Sequence, residues 1–257
     1  MSKRMPILFI GHGSPMNAIT TNSYTKMLSE LRHKLPKPKA ILCISAHWMT
    51  NGTFITHMEN PKTIHDFYGF PKNLFDVQYN APGSSALAEF IQEQLPTIQL
   101  DEDSWGLDHG AWSVLRHLYP EANIPVLQLS LDIEKGADFH FAFGKKLQFL
   151  RDEGVLILGS GNIVHNLSTI QWDENAKSPQ WALDFDLWMK ARIDQRDFDL
   201  IVSDYAKSEA GKLSVPTPDH FYPLLYILGA ASSSDSLHYI FEGMQNASIS
   251  MRSVQFG

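Results

Sequence analysis

The chain has 257 residues, 44% of them hydrophobic and 19% charged, enough to bury a full core, and is expected to form one domain over residues 1–257. Its formal charge of -7, from 21 Lys+Arg against 28 Asp+Glu, argues against attraction to nucleic acid or to an anionic membrane, and no basic run of motif length is present. Cys43 is the only cysteine, which excludes an intramolecular disulfide and any cysteine-rich zinc or iron–sulfur site.

In chain order, Lys3 and Arg4 precede an apolar stretch too short, and too quickly broken by His12, for a signal peptide or a membrane span. A cytoplasmic protein is expected. That stretch, Pro6–Ile10, predicts the first strand, and it stops at Gly11-His12-Gly13-Ser14-Pro15. A second strand is predicted over Ala40–Ser45, ending at Ala46-His47-Trp48, with Cys43 inside it as an inert buried residue. Two strand ends therefore each deliver a histidine, and in open α/β sheets that edge is where ligands bind. Thr53–His57 predicts a third strand, whereas Asn60 to Pro82, with prolines, two aromatic clusters and little periodicity, reads as a long ordered loop able to cover a pocket. Leu107-Asp108-His109-Gly110 places an acid beside an imidazole just before a helix.

Further strands are predicted at Pro125–Ser130 and Val155–Gly159. Between them Phe139, Phe143, Leu147 and Leu150 share one helical face, and after them Trp181, Phe185, Trp188, Met189 and Ile193 make another. His165 follows Gly159-Ser160-Gly161, and His220 follows Pro218-Asp219. Asp219 is read as the N-cap of a Phe221–Leu228 helix with Pro223 in its first turn. No function is read in Gln255-Phe256-Gly257. The alternation of strand and helix patterns predicts an α/β fold whose sheet is covered on both faces.

Any one of these histidines is more often structural than a ligand, but four of them at breaks in the chain point to a metal centre. Imidazole suits iron, zinc, copper and nickel, and a face of three ligands, His12, His47 and His220, leaves positions open for substrate, water or oxygen. Trp48 is either a wall of this site or ordinary core packing. Asp108-His109 is either an N-cap or a donor group aimed at substrate. His33, His57, His117, His140 and His238 are read as solvated or structural, and His65 is left undecided. Other chemistries lack their motifs. Met16 stands where a dinucleotide loop needs its third glycine, Leu158-Gly159-Ser160-Gly161-Asn162 is not a nucleophile elbow, and no His-Glu-x-x-His occurs.

Six segments in order across nearly the whole chain carry a family resemblance. They are Gly11-His12-Gly13-Ser14-Pro15-Met16, Ser45-Ala46-His47-Trp48, Asp66-Phe67-Tyr68-Gly69-Phe70-Pro71, Leu107-Asp108-His109-Gly110-Ala111-Trp112, Gly159-Ser160-Gly161-Asn162-Ile163-Val164-His165-Asn166 and Pro216-Thr217-Pro218-Asp219-His220-Phe221-Tyr222-Pro223-Leu224. Together they resemble the 4,5-DOPA extradiol dioxygenases, within the class III extradiol ring-opening dioxygenases. The resemblance implies a central, mostly parallel sheet flanked by helices and a non-haem metal that binds a catechol.

By that resemblance His12 and His47 match the first two metal ligands, and His220 falls where the wider superfamily has a glutamate. Three histidines suit zinc as well as iron, so one divalent metal is implied, Fe(II) for turnover and Zn(II) in the isolated protein. His165 matches the acid/base histidine and is also expected as a fourth ligand in a resting zinc form. His109 matches a histidine near the substrate, with Asp108, Trp48 and Tyr68 expected beside it. The implied reaction takes a small catechol and O2 and cleaves the ring next to the diol, giving a ring-opened semialdehyde. Two other readings stay open: a zinc-dependent hydrolase on the same scaffold, and a non-catalytic protein that holds metal through all four histidines. A monomer or small homo-oligomer is expected.

Overall fold

The computed structural model describes residues 4–257, so Lys3 lies outside the described residues. The described residues form ten strands: β1 (Ile7–Gly11), β2 (Ala40–Thr50), β3 (Thr53–Thr56), β4 (Ile98–Asp101), β5 (Val126–Asp132), β6 (Val155–Gly161), β7 (Leu237–Phe241), β8 (Met244–Gln245), β9 (Ile249–Ser250) and β10 (Ser253–Phe256). Eight of them form one sheet in the order β4-β3-β5-β2-β6-β1-β10-β7. The central strands β5, β2, β6 and β1 run parallel, whereas β10 and β7 add antiparallel on one side and β3 pairs antiparallel with β5 on the other.

The near-continuous apolar runs of the central strands follow from burial on both faces. Because successive side chains point to opposite faces, Ile7, Phe9, Leu42, Ile44 and Ile157 enter one core, and Leu8, Ile10, Ile41, Cys43 and Leu158 enter the other. Ten α-helices flank the sheet: α1 (Ser23–Leu31), α2 (Lys72–Phe75), α3 (Ser85–Gln94), α4 (His109–Leu118), α5 (Ala137–Lys146), α6 (Phe149–Asp152), α7 (Gln180–Gln195), α8 (Phe198–Asp204), α9 (Glu209–Ser214) and α10 (Tyr222–Ala230). Phe143 of α5, Phe185 of α7 and Leu224 of α10 fill the first core, and Leu28 of α1 with Trp112 and Leu115 of α4 fill the second. Among the described residues no helix is long and apolar enough to cross a membrane.

Three features differ from the sequence reading. β2 continues to Thr50, with its pairing to β5 irregular between Ile44 and Met49, so His47 lies within the strand rather than beyond its end. The Phe139–Leu150 stripe is not one helix, because α5 ends at Lys146 and α6 begins at Phe149. Asp219 does not cap α10: that helix begins at Tyr222 with no side-chain cap bond, and the Asp219 carboxylate turns instead to the imidazole of its neighbour His220. Pro223 does fall in the first turn, where a missing N–H costs nothing.

α10 is buried along its whole length and packs on β6. The approach depends on Gly161, where an added Cβ would lie 2.2 Å from the carbonyl oxygen of His220. The absent side chain lets the backbone of His220 come against the strand, where the N–H of Asn162 donates to its carbonyl at 2.8 Å.

Candidate metal centre

At the C-terminal ends of the parallel strands three imidazoles meet. His12 follows β1, His47 projects from β2 and His220 comes from the turn before α10. A nitrogen from each lies within 4.8 Å of the other two, and the Nε2 atoms of His12 and His47 are 3.2 Å apart. The expected trio is therefore brought together across more than 200 positions of chain.

Each ring has a polar partner facing its other nitrogen. His12 Nδ1 lies 3.0 Å from Ser160 Oγ, and that hydroxyl donates to the carbonyl of Gly110 at 2.6 Å. Its proton committed there, the hydroxyl can only accept from His12, which makes Nδ1 the protonated nitrogen and leaves the Nε2 lone pair free. His220 Nδ1 meets the Asp219 carboxylate, and His47 Nδ1 lies 3.4 Å from Asp66 Oδ2. Metal-binding histidines carry their second nitrogen in this way, on a carboxylate or another acceptor that fixes the tautomer and aims the ring.

The electrostatics suit a cation in the centre. Burial, with His220 and His109 close by, holds His12 well below its ordinary pKa, and burial with His109 and His220 does the same for His47. Neutral imidazoles are the ligating form. A neutral three-nitrogen face with aimed lone pairs fits one divalent metal, which His12, His47 and His220 would hold.

His165 stands apart from this trio. Its ring lies flat against His220, with centroids 3.5 Å apart and planes 5° from parallel. His165 is not in the group formed by His12, His47 and His220, whose nitrogens lie within 4.8 Å of one another. Burial and the neighbouring His220 lower its pKa, while Asp219 opposes the shift. His109 opens α4, and both its backbone N–H and its Nδ1 donate to Asp66, each at 2.9 Å. Burial opposes ionisation of Asp66, but the hydrogen bonds and charge of His109 outweigh it and hold that carboxyl below the usual range.

The residues expected beside a substrate sort differently. Asp108 is fully buried and is the N-cap of α4, with its Oδ1 accepting from Ser45 Oγ and Ala111 N and its Oδ2 from Gln128 Nε2 and Trp105 Nε1. Burial and the nearby Asp66 raise its pKa. With two hydrogen bonds on each oxygen it buttresses the site from behind rather than reaching a ligand. Trp48 is buried and stacks on Trp105 at 5.8 Å, the core-packing alternative. Tyr68 is 92% exposed and covers nothing, whereas Phe67 meets His109 edge-on at 5.5 Å.

His65 braces the loop, its Nε2–H donating to the carbonyl of Val77 at 2.9 Å. Among the histidines read as solvated or structural, His57 meets Glu89, His117 meets the carbonyl of Asn17, and His140 is fully buried against Tyr226. Sequence reasoning missed the parts played by Asp66 and Ser160. Both sit inside quoted motifs, but nothing in those motifs says which ring each one touches.

The sequence profile of the family described as the catalytic LigB subunit of aromatic ring-opening dioxygenase matches residues 6–256. The chain is 48% identical to the 4,5-DOPA dioxygenase extradiol of Escherichia coli (strain K12), over 100% of this chain and 96% of that one. It is 38% identical to the 4,5-DOPA dioxygenase extradiol of Beta vulgaris, over 96% and 95% of the two chains. A crystal structure of an uncharacterized Escherichia coli K12 protein superposes with a TM-score of 0.85 at 44% identity, covering 99% of this chain and 100% of that one. With the match running almost end to end and the three-histidine centre at its strand ends, the chain belongs to the LigB family of aromatic ring-opening dioxygenases.

Proposed function

We propose that this protein is a metal-dependent extradiol dioxygenase that opens the ring of a DOPA-like catechol next to its diol, both atoms of O2 entering a ring-opened semialdehyde. The observation that carries this reading is the convergence of His12, His47 and His220, each with a polar partner facing its Nδ1, and two further histidines, His165 and His109, beside the trio and outside it. Relatives at 48% and 38% identity named 4,5-DOPA dioxygenase extradiol support the same substrate class.

Held by the trio, a divalent ion, Fe(II) for turnover, supplies Lewis acidity and a path for electrons between a catechol and O2. The chain's own residues do the rest. His165, kept neutral by its burial, takes a proton from a catechol hydroxyl and returns one later in the reaction. His109, clamped at Nδ1 by Asp66, presents Nε2 toward the ligand space and orients the substrate. Phe67 excludes water on the same side.

The donor set also suits Zn(II), so the isolated protein is expected to carry zinc until it is exchanged. The non-catalytic reading needs all four histidines on one ion, whereas His165 is not in the group formed by His12, His47 and His220. The test is anaerobic reconstitution with Fe(II) followed by oxygen-electrode assay on a catechol panel that includes DOPA. The expected result is stoichiometric oxygen uptake with a coloured ring-opened product. Turnover of esters or amides by the zinc form, with no oxygen uptake by the iron form, would overturn the reading.

A further inference from the structure

Of the three rings in the trio, His47 has the least support of its own. His12 is fastened on both sides: Ser160 meets its ring, its N–H donates to the carbonyl of Gly161 at 3.1 Å, and its carbonyl accepts from Asn17 at 3.1 Å. His220 has Asp219 next to it in sequence and its carbonyl against Asn162. His47 sits where β2 pairs irregularly, and the polar partner of its Nδ1 is Asp66, which no strand carries.

Asp66 belongs to the loop between β3 and α2. That loop is not a loose cover. Ile64 N donates to the carbonyl of Leu107 at 2.7 Å, Leu107 N donates to Lys62 at 2.8 Å, and Trp112 Nε1 donates to Ile64 at 2.8 Å. The loop is thereby tied to the start of α4, where His109 hands two hydrogen bonds to Asp66. One carboxylate thus faces Nδ1 of a metal-face histidine and Nδ1 of the histidine beside it, whose rings lie 3.9 Å apart.

We infer that Asp66 is a positioning residue which fixes His47 and His109 together, so that the loop carrying it completes the metal centre. Asp66 Oδ2 accepts from His109 Nδ1 at 2.9 Å and faces His47 Nδ1 at 3.4 Å, which leaves both Nε2 atoms directed away from it. Both rings face Oδ2 while Oδ1 takes the backbone N–H of His109, so asparagine must turn its NH2 either against that N–H or against both Nδ1 atoms, and it loses the negative charge that both rings face. Either way the hold on the two rings weakens. The inference rests on the metal centre of the preceding subsection, and the metal itself is the probe.

The experiment uses full-length apoprotein, Co(II) and Zn(II), and competition with a chelator. In Asp66→Asn the dissociation constant for either ion is expected to rise about 10- to 100-fold, as for loss of other outer partners of ligand histidines. The Co(II) absorption bands should shift while the apoprotein melts as the native chain does. His109→Ala, which leaves Asp66 facing His47, is expected to bind Co(II) within about threefold of the native chain. An unchanged affinity and spectrum in Asp66→Asn would overturn the inference, as would an equal loss in His109→Ala. Should Asp66→Asn fail to fold, Asp66→Glu decides: a shifted Co(II) spectrum with unchanged apoprotein melting supports the role, and an unchanged spectrum overturns it. A native chain that takes up neither ion overturns the metal centre itself, and this role with it.

Discussion

Three imidazoles reach one point from three elements, and what suits them to hold a metal is the placement of their second nitrogens. Ser160 and Asp219 bond the Nδ1 of His12 and His220, and Asp66 faces that of His47 at 3.4 Å, so the lone pairs left over converge without needing to rotate. Preorganisation of this kind is lost in one step. His12→Ala, His47→Ala and His220→Ala are each expected to lose most bound metal, because two imidazoles and solvent hold a divalent ion far less tightly than three fixed ones. His165, whose ring stacks on His220, is not in that group, and His165→Ala should keep its metal and lose turnover by roughly 10²–10⁴-fold. Metal content by mass spectrometry, read beside oxygen uptake, separates the two groups. Full metal retention in any of the first three removes that residue from the face, and near-native turnover in the fourth removes the proton-transfer role.

Elements matter through how closely they approach. α10 delivers His220 by lying directly against β6, and Gly161 is the position where a methyl group has no room. Gly161→Ala would have to push the start of α10 outward. The expected cost is about 1–3 kcal/mol in denaturant unfolding, typical of overpacking, together with weaker metal binding. Native stability and native metal affinity in that variant would show that the helix start tolerates displacement. The same closeness explains why Asp219 was read wrongly from sequence. An aspartate two residues before a predicted helix looks like a cap, but a carboxylate adjacent to an imidazole in this turn bonds the ring first, and the helix begins later.

Stability of the whole molecule should depend on pH through a histidine remote from the chemistry. His140 on α5 is fully buried, lies tilted against Tyr222 with ring centroids 4.2 Å apart and places Nδ1 3.1 Å from the hydroxyl of Tyr226, both on α10. Burial, only partly offset by backbone carbonyls and Asp132, lowers its pKa from 6.5 to about 4. The folded chain therefore keeps this ring neutral in a range where the unfolded chain protonates it. Its contribution is fully present above pH 6.5 and is lost as pH falls toward 4, at ~1.4 kcal/mol per pH unit for one proton. Burial depresses His12, His47 and His165 in the same direction, so the measurement is a difference. Urea unfolding between pH 6.5 and 4 should show the native chain losing stability faster than His140→Gln, and parallel slopes would sink the assignment.

Local pattern in the sequence was enough for the central strands, because a strand buried on both faces must be apolar throughout and must break where the chain turns back. It also singled out His12 and His220, where glycine or proline breaks the chain, whereas His47 stands inside β2 rather than beyond its end. The ring-opening family was legible because six such breaks follow one another in a fixed order over the chain. The tertiary structure decided what each group touches. Ser160 reaches His12 across 148 positions, and Asp66 reaches His109 across 43. Asp108 turned inward to Ser45 and Gln128, and His165 lay down on His220. Strand β10 took the place beside β1, although its four residues carry no long apolar run to announce it. A hydrogen bond or a stacked pair is set by the position and rotation of two side chains in space, and those follow from the packing of whole elements rather than from any stretch of neighbouring residues.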